Sequence, residues 1–214
     1  MKHYFSLLLL SSSLCFAAAD ETRKTEYAVD DIFLNRWSAR AMSGKEMSDA
    51  ELFSLFDAAR WAPSEYNSQP WHFIYAKRGS KHWNTLYNLL VPFNQGWCTN
   101  ASALVVMVSR NHYENGDLIR THSFDAGAAW QNLALQASLR GLVAHGMSGF
   151  DYDRAKKDLQ IPDGYTVEAM CAIGYPASLD VLPEGGLREG EKKRSGRKPL
   201  KEFVSEGIFK SNIK

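Results

Sequence analysis

Apolar positions change their spacing along the chain, and each spacing predicts an element. Residues 29–36 read as a short helix. Ser48 followed by Glu51 is a capping-box pattern, and Leu52, Leu55, Phe56 and Ala59 recur on one helical face behind it. That helix must end at or before Pro63, whose ring blocks the backbone ladder. Residues 71–77 read as a strand and 80–90 as a helix. Residues 103–109 are a continuous apolar, β-prone run, the pattern of an interior strand. Residues 125–141 carry Ala128, Leu133, Leu135, Ala137 and Leu139 with little charge, which predicts a buried central helix. A short amphipathic helix at 151–160 stops before Pro162, and Val167, Ala169, Cys171 and Ile173 alternate as in a strand covered on both faces. Residues 184–199, rich in Gly, Lys, Arg and Glu, read as a solvated loop, and the apolar stretch at 203–209 as a segment that docks on another surface. Helices and strands interleave without strict alternation. The class is α+β, with a central mixed sheet between helical layers.

The first nineteen residues stand apart. Lys2 and His3 precede an apolar run that ends in Ala17-Ala18-Ala19, the pattern of a secretory signal peptide cleaved near Ala19. The bulky Leu14 argues against lipidation of Cys15. This division gives a leader at 1–19, a linker at 20–28 and one domain at 29–214. A leader in use makes the protein periplasmic or otherwise exported; a pseudo-signal leaves it in the cytoplasm. No later apolar run is long enough for a stable membrane span.

Bulk properties narrow the rest. A length of 214 residues with 45% hydrophobic and 23% charged positions suits one globular domain, and a formal net charge of +1 gives no reason to invoke nucleic acid. Local basic clusters therefore need a local explanation. Two cysteines beyond the leader, Cys98 and Cys171, make neither a disulfide framework nor a metal spacing.

Three separated clusters carry candidate chemistry: Arg36-Trp37-Ser38-Ala39-Arg40, the turn from Pro63 and Ser64 through Asn67 and Gln69 to Trp71, and Ser195-Gly196-Arg197-Lys198-Pro199. Guanidinium forks match phosphate oxygens two at a time. Arg36, Ser38 and Arg40 alternate, so an extended segment places them on one side. A proline-stiffened turn holds amides in place at little entropic cost. A ligand with an anionic tail and a hydrogen-bonding heterocycle would use all three clusters.

With Asp125-Ala126-Gly127, His145-Gly146-Met147-Ser148-Gly149-Phe150, Gly174-Tyr175-Pro176 and Arg197-Lys198-Pro199-Leu200 added in order, the chain resembles the nitroreductase family of FMN-dependent oxidoreductases. The resemblance implies a three-layer α/β/α sandwich around a mixed, mainly antiparallel sheet. It also implies an intertwined homodimer whose C-terminal segment crosses to the partner. Arg36, Trp37, Ser38 and Arg40 then meet the FMN phosphate and ribityl chain, with Arg197 completing the phosphate site; Ser195 falls where several relatives carry a second basic residue, for which Lys193, Arg194 or Lys198 can substitute. Pro63, Ser64, Asn67 and Gln69 frame the ring. The small-residue loop Gly146, Met147, Ser148 and Gly149 presents a backbone N–H to flavin N5, its glycines allowing close approach. Relatives often carry Pro at the position of Gly146 and Glu at that of Ser148, so substrate preference is expected to differ here. His145 has two readings, a donor to ring or substrate and a buried histidine satisfied by a carbonyl.

The implied function is ping-pong hydride transfer from NAD(P)H through FMN to nitroaromatic or quinone-type acceptors, with no catalytic side chain required. The competing readings are a non-enzymatic flavin-binding or redox-sensing module, a specialised member such as a reductive dehalogenase, and an exported binding protein for an anionic ligand.

Overall fold

The computed structural model describes residues 23–210. They divide into two compact units, one spanning 28–193 and the other formed by 23–27 together with 194–210. The leader expected at 1–19 lies outside the described residues.

In the unit 28–193 the order of elements is α1 (Asp31–Asn35), α2 (Asp49–Ala59), β1 (Trp71–Lys77), α3 (Trp83–Tyr87), α4 (Pro92–Cys98), β2 (Ala103–Arg110), α5 (His122–Leu139), β3 (Val143–Met147), α6 (Tyr152–Asp158), β4 (Tyr165–Gly174) and α7 (Gly186–Glu191). The strands form one sheet in the order β1-β2-β4-β3, and every pairing among the described residues is antiparallel. The sheet is buried because its interior strands are apolar on both faces. Along β2, Leu104, Val106 and Val108 join a cluster with Leu86, Leu89, Trp97, Met147 and Met170, while Ala103, Val105 and Met107 join Leu52, Leu55, Leu133 and Ala137 on the other side. The same alternation splits β4 into Met170 and Ala172 against Cys171 and Ile173. Two helical layers therefore cover one sheet, the α+β sandwich that the resemblance implies. Each large aliphatic side chain enclosed in these layers contributes about 1.5–3 kcal/mol.

The capping box forms as its spacing predicts. Ser48 Oγ accepts from the Glu51 N–H, and the Glu51 carboxylate accepts from the Ser48 N–H. Tyr175 donates to the same carboxylate at 2.6 Å, which ties the start of α2 to the end of β4. Small residues on α5 (Ala126, Ala129, Ala134, Ala137) let it lie close to α2. Phe124 and Leu139, by contrast, point to solvent, so α5 is buried on one side only.

Several expected boundaries are corrected. The helix expected at 80–90 shrinks to α3, because Leu90 is drawn into a bridge with Phe150. The loop expected at 146–149 begins inside a strand, since Gly146 and Met147 pair with Cys171 and Met170. Residues 184–199 are not simply a solvated loop: α7 lies within them, and its last residue, Glu191, is buried. Among the described residues no helix is long and apolar enough to cross a membrane.

In the smaller unit, a 3-10 turn at Leu200–Glu202 is held by the Leu200 N–H donating to Glu26 Oε1 at 2.9 Å. Phe203, Val204, Ile208 and Phe209 are exposed.

Candidate functional site

Residues 36–41 follow α1 with Arg36 extended, and they do not join the sheet as a strand. Arg36 Nη1 donates to Ser38 Oγ at 3.4 Å, so the alternation does bring these two side chains together. Trp37 is half-buried against the cluster around Trp97. The peptide groups of this segment still need partners, and buried side chains supply them. His145 Nδ1 lies 3.2 Å from the Ala39 carbonyl oxygen, and only as a donor can it face that acceptor. Glu191 Oε1 accepts from the N–H groups of Arg40 and Ala41, the latter at 3.3 Å, and Oε2 lies 3.5 Å from Arg40 Nη1. The Arg40 guanidinium carbon also stands 5.9 Å from the centre of the Trp97 ring.

His145 thus has the carbonyl partner that the second of its two readings expects. It is buried on β3, its ring centre 4.6 Å from that of Trp97, and burial followed by the nearby Arg40 charge pushes its pKa down. Strand alternation explains its neighbours. Val143, His145 and Met147 face Trp97 and Cys98, and Cys98 Sγ lies 3.6 Å from Met147 Sδ. Gly146 faces the opposite layer, where a Cβ would stand 3.1 Å from the Trp130 ring of α5. At Gly149 a Cβ would stand 2.6 Å from Asn94 Nδ2, the group that donates to the Gly149 carbonyl at 2.9 Å. Both glycines therefore have close neighbours within the chain, Trp130 at Gly146 and Asn94 at Gly149. Ser148, between them, is exposed.

The turn at 63–69 is built differently. Ser64 Oγ accepts from the Gln69 N–H at 3.0 Å, and Gln69 Nε2 donates to the Asn67 carbonyl at 3.2 Å. Tyr66, Asn67 and Gln69 all hold positive φ, at 47°, 55° and 45°. Asn tolerates the left-handed region, but Tyr and Gln pay about 1–2 kcal/mol each for it. Outside contacts hold the conformation. The Glu65 N–H donates to Asp125 at 3.1 Å, Thr121 donates to both Glu65 and Asp125 at 3.0 Å, and Arg110 reaches the Ser68 carbonyl at 3.3 Å. The turn is therefore anchored on the start of α5 and the end of β2. Pro63 and Tyr66 are exposed.

Ser195 and Arg197 belong to the smaller unit, where Arg197 donates to the Ser195 and Gly196 carbonyls at 3.2 and 2.9 Å.

Two buried polar atoms in these segments lack a hydrogen-bond partner, Arg40 Nε and Ser68 Oγ. A buried donor left unmade is costly.

The family model named Nitroreductase family matches residues 34–90 and 80–175, which include the segment at 36–41, the turn and β3. The chain belongs to the nitroreductase family. Among solved structures, an oxidoreductase containing FMN is 46% identical with a TM-score of 0.84, over 89% of this chain and 97% of that one. A Desulfovibrio desulfuricans protein, provisionally named a nitroreductase and solved in complex with FMN, is 25% identical with a TM-score of 0.64, over 87% and 100% of the two chains. An Archaeoglobus fulgidus protein provisionally named NADH dehydrogenase/NAD(P)H nitroreductase is 28% identical, over 66% of this chain and 81% of its own length.

Sequence reasoning missed the supports of this nitroreductase-family site. Glu191 sits in a run of Lys, Arg and Glu whose composition signals solvent, and Asn94 and Trp97 lie on α4, which no periodicity announced. A second polar cluster also went unread. Ser109 Oγ lies 2.7 Å from His122 Nδ1 and also donates to Glu168, while the His122 Nδ1–Glu168 distance is 3.5 Å. Hydroxyl and carboxylate share one ring nitrogen, so this is not a relay that activates a serine, which needs them on opposite nitrogens.

Proposed function

We propose that this chain is an FMN-dependent oxidoreductase that passes hydride from NAD(P)H to nitroaromatic or quinone-type acceptors, acting as a homodimer. The observation that carries this reading is the likeness to FMN-containing oxidoreductases over nearly the whole chain. The residues present fit the cofactor. Arg36, Ser38 and Arg40 give a cationic, hydroxyl-bearing stretch for its phosphate and ribityl chain, and the unpartnered Arg40 Nε and Ser68 Oγ await polar atoms. For Ser195 and Arg197 the family resemblance implies a role toward the phosphate.

When bound, FMN supplies the redox chemistry, a hydride taken up at its ring and handed on. The chain's own groups do the rest. The amides of Asn67 and Gln69, carried on the left-handed turn, would meet the polar edge of the ring. The main chain at Met147, Ser148 and Gly149 would present its N–H groups to the bound ring. Arg40 places positive charge where negative charge accumulates on reduction. Donor and acceptor use one space in turn, the basis of ping-pong kinetics.

Anaerobic mixing of the flavin-loaded protein with NADH or NADPH tests the reading. Rapid bleaching, followed by recovery on adding a quinone, supports it. Bound flavin that neither nucleotide reduces would leave a flavin-binding or redox-sensing module instead. Arg197→Ala is expected to purify with less flavin, and full occupancy in that variant would refute its role.

A further inference from the structure

Glu191 lies outside every motif carried over from the family, yet its carboxylate is the hub of the segment at 36–41. It closes α7 with its side chain 1% exposed. A buried carboxylate is tolerated only when paired and hydrogen-bonded. Its partners are the N–H groups of Arg40 and Ala41 and the guanidinium of Arg40. Arg40 is thus gripped on one side by Glu191 and flanked by Trp97. Nearly a third of its side chain remains accessible, and its Nε has no partner.

We propose that Glu191 is a positioning residue of the flavin site, which aims Arg40 at the cofactor and offsets its charge, and thereby sets the reduction potential of bound FMN. The inference rests on the FMN reading above. Its physical basis is short-range electrostatics. From the ribityl side the Arg40 guanidinium would favour the electron-rich reduced ring through space, and a carboxylate 3.5 Å from that guanidinium opposes this. The same carboxylate accepts from the main-chain N–H groups of residues 40 and 41, which holds the backbone that carries the guanidinium.

The test is anaerobic spectroelectrochemical titration of FMN-loaded protein. Glu191→Gln keeps the shape and removes the charge, so its potential is expected to move positive. Arg40→Gln is expected to move it negative, and Arg40→Gln/Glu191→Gln, which removes both charges, to return it toward the wild-type value. Should Glu191→Gln fail to fold, the Arg40→Gln protein compared with the double variant reads the same effect, since replacing both members of a buried pair is tolerated better than removing one. Potentials unmoved in both comparisons, with any change confined to melting temperature, would reduce Glu191 to a structural role and overturn the inference. Wild-type protein that takes up no FMN would instead overturn the cofactor reading, so the two failures are distinct.

Discussion

Residues 36–41 and the turn at 64–69 carry most of the cofactor-site positions expected within the unit 28–193, and they are held in opposite ways. The first segment is fixed by buried polar side chains, Glu191 and His145, reaching its main chain from α7 and β3. The second is largely exposed and is fixed by left-handed backbone at Tyr66, Asn67 and Gln69, clamped to α5 and β2. One therefore depends on what lies behind it, and the other on its own conformation. Substitutions should separate them by size and by pH response.

The largest expected effect is on the buried side. Glu191→Ala leaves two buried N–H groups without an acceptor and Arg40 without a counter-ion, a loss of about 2–3 kcal/mol. Chemical denaturation of the variant against wild type measures it, and a loss below half a kilocalorie would mean that Glu191 holds nothing in place. Next, Gly149→Ala forces a methyl group toward Asn94, where it would stand 2.6 Å from Nδ2, and should cost about 1–3 kcal/mol by the same measurement. The turn should respond in the other sense. Tyr66→Gly relieves left-handed strain but adds chain entropy, so stability should change by less than about 1 kcal/mol, while Tyr66→Val should destabilise.

The smallest effect concerns pH. His145 is held neutral by burial, so its folded pKa lies below the ordinary 6.5. Between those two values the unfolded chain takes a proton that the folded chain refuses, and stability falls as pH falls through that window. His145→Asn should flatten that part of the melting temperature-against-pH curve, and no substitution in the turn should. A separate acid response belongs to Glu51, whose pKa the Tyr175 hydrogen bond and the capping box lower from 4.5 to about 2. That contribution is present above 4.5 and is lost as pH falls toward 2, and Tyr175→Phe should make the loss shallower.

The same contrast explains what could be read from residues alone. Local chemistry was legible. The Ser48/Glu51 capping box and the strand at 71–77 both form where the spacing predicts, because each depends on near neighbours or a simple period. The Asn67 and Gln69 turn was legible as a turn, though not its run of positive φ. Long-range pairing was hidden. His145-Gly146-Met147 looks like a loop because of its glycine and becomes a strand only because β4 lies beside it. Glu191 looks solvated among Lys and Arg and is buried only because Arg40 and Ala41, some 150 positions away, need its oxygens. Gly146 and Gly149 stood out as small, but the neighbours that crowd them from within the chain, Trp130 and Asn94, were not legible.

The central claim is that these segments assemble a site for FMN. The most direct measurement is the visible absorbance of the purified chain after incubation with FMN and removal of the unbound excess. A stoichiometric flavin band that survives desalting, and that weakens in Arg36→Ala, is the predicted result. A colourless protein, or flavin retained equally after loss of Arg36, would contradict it.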